Sequence, residues 1–248
     1  ARDWASYGLI KRLQGSKDGV EILKEDWDNL IILDACRYDV FESVNHLPGR
    51  LERRTSQASV TWSFLKQNFE NKRMYDTVYV AANAVVGENA DRLDVFKLVG
   101  LWKNSDQDRY DVVEPATVVE EAIALNERYP DKRLIVHFLQ PHTPFLVHDG
   151  KRIPADSPYR NYDAARRGDI SEAAVRQVYE ENVSNVLEYV KELVKSINGK
   201  TVVTADHGEL LGEDIGVLNK VLHPRWPFLR RQNFKYGHYS HIRMRELV

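Results

Sequence analysis

Short apolar runs and longer periodic stretches alternate along this chain, and the alternation predicts an architecture. Four runs are rich in Val, Ile and Leu and nearly continuous: Asn29-Leu30-Ile31-Ile32-Leu33, Thr77-Val78-Tyr79-Val80, Leu134-Ile135-Val136-His137-Phe138-Leu139 and Thr201-Val202-Val203-Thr204. Runs this short and this rich in β-branched residues predict strands buried on both faces. Between them the spacing changes to that of helices. From Ser171 to Ile197, Val175, Val178, Tyr179, Val183, Val186, Val190, Leu193, Val194 and Ile197 fall on one stripe, and Asn198-Gly199 supplies the stop. A second helix is predicted from Ala116 to Glu127, opened by Glu114-Pro115, and a shorter one after Arg37. Alternating strand and helix predicts βαβ units, hence an α/β, doubly wound, mainly parallel sheet with helices on both faces. The segment from His148 to Asp169, dense in Arg, Asp and Pro, reads as a solvated surface excursion, with the border of a site as its alternative.

Composition narrows this picture more than it extends it. A chain of 248 residues with 43% apolar positions can bury a sizeable core, so residues 1–248 read as a single domain. A net charge of −2, with acids and bases interspersed, leaves neither a basic footprint for nucleic acid nor a polybasic patch for a membrane. No apolar run approaches the about 18 residues that a membrane span requires, and the start Ala1-Arg2-Asp3-Trp4 lacks the apolar core of a signal peptide. One cysteine, Cys36, excludes an internal disulfide framework and reads as a small buried hydrophobe. These features predict a cytoplasmic protein.

The candidate chemistry gathers where the strands end. In open parallel sheets ligands bind outside the carboxyl ends of the strands. The first strand delivers Asp34 there, the third Pro141-His142-Thr143-Pro144, and the last Asp206-His207-Gly208-Glu209. Each group alone has a plainer reading: Asp34 or Asp206 as a helix cap, His142 as a turn residue. Together they outline a metal site. Right-handed crossovers bring such ends to a common edge, and a mixed set of carboxylates and imidazole suits zinc or manganese, with calcium or magnesium as alternatives. A divalent ion there would polarise a phosphoryl or sulfuryl oxygen and activate a hydroxyl.

At these residues the sequence resembles the alkaline phosphatase superfamily, and most of all its sulfatase-like and phosphoethanolamine-transferase-like branches. The similar stretches are Asn29–Arg37, Gln140-Pro141-His142-Thr143-Pro144-Phe145, and Thr204-Ala205-Asp206-His207-Gly208-Glu209-Leu210-Leu211-Gly212-Glu213. The resemblance implies Asp34, Asp206 and His207 as metal ligands and His142 beside the leaving group or a substrate oxygen. Lys235-Tyr236-Gly237-His238 resembles the element that trails the Asp-His-Gly motif, which implies His238 as a metal or substrate contact, with His223 and His241 as substitutes. The nucleophile is expected in Thr55-Ser56-Gln57-Ala58-Ser59-Val60-Thr61-Trp62, Ser59 in the best register and Thr61 its competitor; a hydroxyl-rich helix cap is the plainer alternative. Arg37 is expected either to bind the transferred anion or to make a helix-start ion pair.

Departures from the pattern refine the expectation. Cys36 is in the wrong place for formylglycine, and Asp34 is followed by Ala35 rather than by a second acid, which favours a Ser- or Thr-based phosphoester mechanism. One metal is the working count. The chain stops at Val248 where similar proteins continue, so it reads as a fragment or an abbreviated member. The expected activity is metal-dependent hydrolysis of phosphate or sulfate esters, small or linked to glycan or lipid. The alternatives are phospho-group transfer of the phosphoethanolamine-transferase type and a non-catalytic metal-binding module. A nucleotide-binding Rossmann reading fails because Asp34-Ala35-Cys36-Arg37-Tyr38 carries no glycine.

Overall fold

The first predicted strand, β1 (Asn29–Asp34), is buried along its whole length, and the rest of the fold is arranged around it. The computed structural model describes residues 19–104 and 112–212, together with the backbone of two-residue strands at Tyr236–Gly237 and Arg243–Met244. β1 joins β2 (Arg73–Ala81), β3 (Asp94–Gly100), β4 (Arg133–Pro141) and β5 (Thr201–Ala205) in one five-stranded sheet, in the spatial order β3-β2-β4-β1-β5. Every pairing in it is parallel, as expected of strands linked by helices.

The two-faced burial of the strands is visible in their alternation. Leu30 and Ile32 of β1 join Tyr79, Ile135 and Val202 on one face. Ile31 and Leu33 join Val78, Val136 and Val203 on the other. The first face is covered by α2 (Thr61–Asn68) through Phe64 and Leu65, and by Val86 of α3 (Ala84–Glu88). The second is covered by α1 (Tyr38–Val44), α4 (Pro115–Arg128) and α6 (Glu172–Ser196). Each side chain of this size taken fully out of water contributes roughly 1.5–3 kcal/mol, so both layers are needed. The predicted helices are present with nearly the predicted bounds: Ser171 caps α6 by accepting from Ala174 N–H at 3.1 Å, and Gly199 follows it at φ 100°.

Two features differ from the sequence-based expectation. β3 is a fifth strand, at the sheet edge, where Phe96 stays 45% exposed. The excursion from His148 to Asp169 is also more than solvated loop. It starts with a hairpin pairing Val147–His148 with Lys151–Arg152, buries Ile153, Arg160 and Tyr162, and carries α5 (Asp163–Arg167). Arg160 Nη1 donates to the Phe145 carbonyl at 2.8 Å, pinning the loop to the chain that leaves β4. Among the described residues no helix is long and apolar enough to cross a membrane.

Candidate metal centre

The carboxyl ends of β1 and β5 are neighbours because Leu33 pairs with Ala205, so Asp34 and Asp206 leave the sheet side by side. A sharp turn follows Asp34, with Ala35 at φ 57°. The Tyr179 hydroxyl, from the middle of α6, donates to the Ala35 carbonyl at 2.6 Å and accepts from Arg37 N–H at 2.8 Å, which holds that turn in place. Asp206 completes it from the other side. Its Oδ1 accepts from Ala35 N–H at 3.0 Å and from His207 N–H at 2.8 Å, while Ser56 Oγ donates to its carbonyl at 2.5 Å.

Only one oxygen of each carboxylate is committed to such bonds. Asp34 Oδ1 and Asp206 Oδ2 are buried, and each faces the same atom, His207 Nε2, at 3.4 Å. The other ring nitrogen, His207 Nδ1, lies 2.8 Å from the Gly208 carbonyl. A carbonyl can only accept, so Nδ1 carries a hydrogen, and in the neutral ring the Nε2 lone pair points at the two carboxylates. Asp34, Asp206 and His207 thus present one ligand atom each within 4.8 Å of one another. Two buried carboxylate oxygens without settled partners among the described residues, and an imidazole nitrogen that faces them both, fit a divalent ion.

Electrostatics agree with that assignment. Burial would raise the Asp34 carboxyl, but the pull of His142 and then of His207 outweighs it and holds the group at about 2. Asp206 is raised, by burial first and then by the neighbouring Asp34 charge. Burial would lower His207, yet Asp206 and then Asp34 lift it to about 10. Two adjacent carboxylates therefore draw a positive charge into the cluster, which a proton on His207 supplies and a divalent ion could supply in its place.

Around the cluster the predicted residues are distributed unevenly. Thr61, the first residue of α2, places Oγ1 3.4 Å from His207 Nε2. Ser59 Oγ is buried and makes no hydrogen bond. His142 follows β4, with its N–H on the Asp34 carbonyl at 3.2 Å and Nδ1 2.5 Å from the Thr143 carbonyl. Arg37 makes the helix-start ion pair, its Nη2 2.8 Å from Asp39 Oδ2, and Nη1 donates to the Glu209 carbonyl at 2.9 Å. Cys36 is buried and its thiol is pushed up by burial, in keeping with an inert hydrophobe. His238, His223 and His241 lie outside the described residues. The backbone of Tyr236–Gly237 nevertheless pairs antiparallel with Leu210–Leu211, just beyond the Asp-His-Gly stretch.

Two residues at the cluster escaped the sequence reading. Asn83 follows β2, and its Nδ2 donates to Asp34 Oδ2 at 2.5 Å and reaches Thr61 Oγ1 at 3.4 Å. The amide cannot be reversed, because Oδ1 accepts from Val85 N–H at 2.7 Å as the cap of α3. His137, inside β4, is fully buried with Nε2 3.9 Å from Asp206 Oδ2 and Nδ1 2.9 Å from the Tyr79 hydroxyl. Signals for both exist: an amide at the end of the remaining strand, and one imidazole in an otherwise apolar run.

No protein-family model matches the chain, and no curated protein matches it. Its fold is similar to several solved structures. The C-terminal periplasmic domain of EptC from Escherichia coli, in complex with zinc, superposes with a TM-score of 0.56 at 14% identity, covering 89% of this chain and 72% of that one. The soluble domain of lipooligosaccharide phosphoethanolamine transferase A from Neisseria meningitidis gives 0.51 at 12% identity, covering 88% and 75%. The lipoteichoic acid synthase LtaP from Listeria monocytogenes gives 0.51 at 12%, covering 98% and 71%. At such identities the likeness is one of fold, and the expected doubly wound architecture is the one observed.

Proposed function

We propose that this chain, whose fold is that of the alkaline phosphatase superfamily, is a metal-dependent phospho-group transferase with Thr61 as its nucleophile. The observation that carries the proposal is the position of Thr61 Oγ1, 3.4 Å from His207 Nε2 and 3.4 Å from Asn83 Nδ2, beside the buried Asp34, Asp206 and His207. Ser59 is the other hydroxyl expected from the sequence, and among the described residues its Oγ has no hydrogen bond to the cluster or elsewhere. Asp34, Asp206 and His207 are the residues that would hold the ion, and when bound it supplies charge for a phosphoryl oxygen and acidifies a nearby hydroxyl.

The chain's own residues then divide the remaining work. Thr61 Oγ, giving up its proton to solvent, forms a bond to phosphorus as the bond to the leaving oxygen breaks, and the start of α2 offers N–H groups to the transferred anion. Asn83 holds the Thr61 oxygen and the far side of Asp34 in one geometry. His142 supplies the leaving oxygen with a proton. An acceptor alcohol next attacks the phosphorylated Thr61 and restores its hydroxyl. Water in place of the alcohol gives the hydrolysis expected from the sequence. Transfer is preferred because the similar folds include a phosphoethanolamine transferase and a lipoteichoic acid synthase. A lipid- or glycan-linked phosphate ester is the corresponding substrate class, and zinc, present in the EptC complex, the first ion to try.

The test is zinc-reconstituted protein given an aryl phosphodiester, with and without added alcohols, and intact-mass and peptide analysis of the trapped intermediate. The expected result is a phosphorylated Thr61, product partitioning toward the alcohol, and loss of both in Thr61→Ala but not in Ser59→Ala. A Thr61→Ala variant that still accumulates the phosphorylated form overturns the assignment.

A further inference from the structure

The mechanism above leaves one buried polar pair without a role. Tyr79 of β2 and His137 of β4 are both fully buried, with their rings stacked at 6.2 Å between centroids. The Tyr79 hydroxyl lies 2.9 Å from His137 Nδ1. On the far side of the imidazole, Nε2 makes no hydrogen bond among the described residues and stands 3.9 Å from Asp206 Oδ2, which likewise makes none and lies 3.4 Å from His207 Nε2. Buried groups of this kind are expensive to leave unpaired, and a core that only needed filling would be better served by Phe and Leu.

The polarity of the chain of contacts follows from counting hydrogens. A neutral imidazole has one N–H. If Nδ1 carries it, the Nε2 lone pair faces the Asp206 carboxylate and the two repel. If Nε2 carries it, the N–H faces Asp206 Oδ2, and Nδ1 accepts from the Tyr79 hydroxyl. Only the second arrangement gives the Tyr79 hydroxyl an acceptor and turns an N–H, not a lone pair, toward the Asp206 carboxylate. His137 is not among the three residues whose ligand atoms lie within 4.8 Å of one another, so it stands behind the cluster rather than in it.

We propose that His137, with its tautomer fixed by Tyr79, is a positioning residue that aims the metal-facing oxygen of Asp206. Asp206 is thereby constrained from both ends, Oδ1 by the Ala35 and His207 N–H groups and Oδ2 by the charge of an N–H that faces it from 3.9 Å. This rests on the reading of Asp34, Asp206 and His207 as the metal ligands. Support of a ligating carboxylate from behind is worth about 10–100-fold in metal affinity in other sites.

Two measurements on the full chain test it. Long-range 1H–15N NMR of zinc-loaded wild type assigns the His137 hydrogen; Nε2–H is expected, and Nδ1–H overturns the proposal. Competition against a chelator gives the zinc dissociation constant of wild type and of Tyr79→Phe. The expected result is a Tyr79→Phe constant weaker by about 10-fold or more, with zinc-free thermal midpoints recorded alongside. A variant whose midpoint falls while its zinc affinity equals that of wild type shows a merely structural pair and overturns the proposal. Wild type without zinc affinity overturns the ligand assignment itself, whereas equal affinities for the two proteins overturn only the role of Tyr79 and His137.

Discussion

Replacing Asn83 probes the centre without touching a proposed ligand. Beside the longer contact to Thr61, its side chain makes two short bonds of opposite sense, Nδ2 to Asp34 Oδ2 at 2.5 Å and Oδ1 from Val85 N–H at 2.7 Å. Asn83→Ala removes both. Loss of the cap costs about 1 kcal/mol, and leaving a buried carboxylate oxygen without its donor costs a further 1–3 kcal/mol or so. Together that is about 2–4 kcal/mol, or roughly 4–16 °C in thermal midpoint for a chain of this size. Asn83→Asp separates the two contributions, since it keeps the cap acceptor and sets a second carboxylate against Asp34. Two carboxylates so close share a proton, and their joint pKa rises above the unfolded value. A raised folded pKa gives stability that is fully present below the unfolded value and is lost as pH rises through the folded one. Urea denaturation of chelator-treated protein at pH 5 and pH 8 measures both effects. Asn83→Ala within about 0.5 kcal/mol of wild type, the usual range of an inconsequential substitution, or Asn83→Asp equally stable at the two pH values, refutes the reasoning.

Other perturbations address separate parts of the structure. Tyr179→Phe deletes the hydroxyl that bridges Ala35 and Arg37, and its thermal midpoint should report a loss of about 1–3 kcal/mol. Glu209 is fully buried and its carboxyl is pushed up by burial to about 7 from an unfolded value of 4.5. Its contribution to metal-free stability is therefore present below pH 4.5 and lost as pH rises through about 7, and Glu209→Gln should remove up to about 3 kcal/mol of that decline in denaturation curves. Zinc at 100 times its dissociation constant should stabilise wild type by about 2.7 kcal/mol, a shift that calorimetry should find abolished in Asp206→Asn.

What the sequence makes legible is the part governed by continuous burial. β1, β4 and β5 are built on nearly continuous apolar runs, and the residues at their ends are fixed by the parallel topology, so Asp34, Asp206 and His207 converge as the strand-end argument predicts. β3 escapes the same reading because Asp94-Val95-Phe96-Lys97-Leu98-Val99 mixes charge into an edge strand. Ser59 and Thr61 are separated by where α2 begins, and that boundary depends on how the preceding loop lies over β5: Ser56 is anchored to the Asp206 carbonyl, a contact across 150 positions of sequence. Arg37 carries two readings in the sequence, anion ligand or helix-start ion pair, and the contact observed is the pair with Asp39, two residues on. Asn83 and His137 show the complementary limit, since an amide or an imidazole in an apolar setting announces that it has a partner without saying which.

The double duty of Asp206 has an evolutionary consequence. One of its oxygens fastens the turn after β1 and the start of its own loop, while the other is offered to the ion. A histidine, cysteine or glutamate at this position would change the ligand and undo the fastening in the same step. In this chain, therefore, an exchange at Asp206 could not retune a metal preference without also loosening the turn after β1. Asp34 is under the same constraint, since Asn83 Nδ2 holds its other oxygen, so a change of affinity that spares the scaffold falls to the residues that surround the cluster.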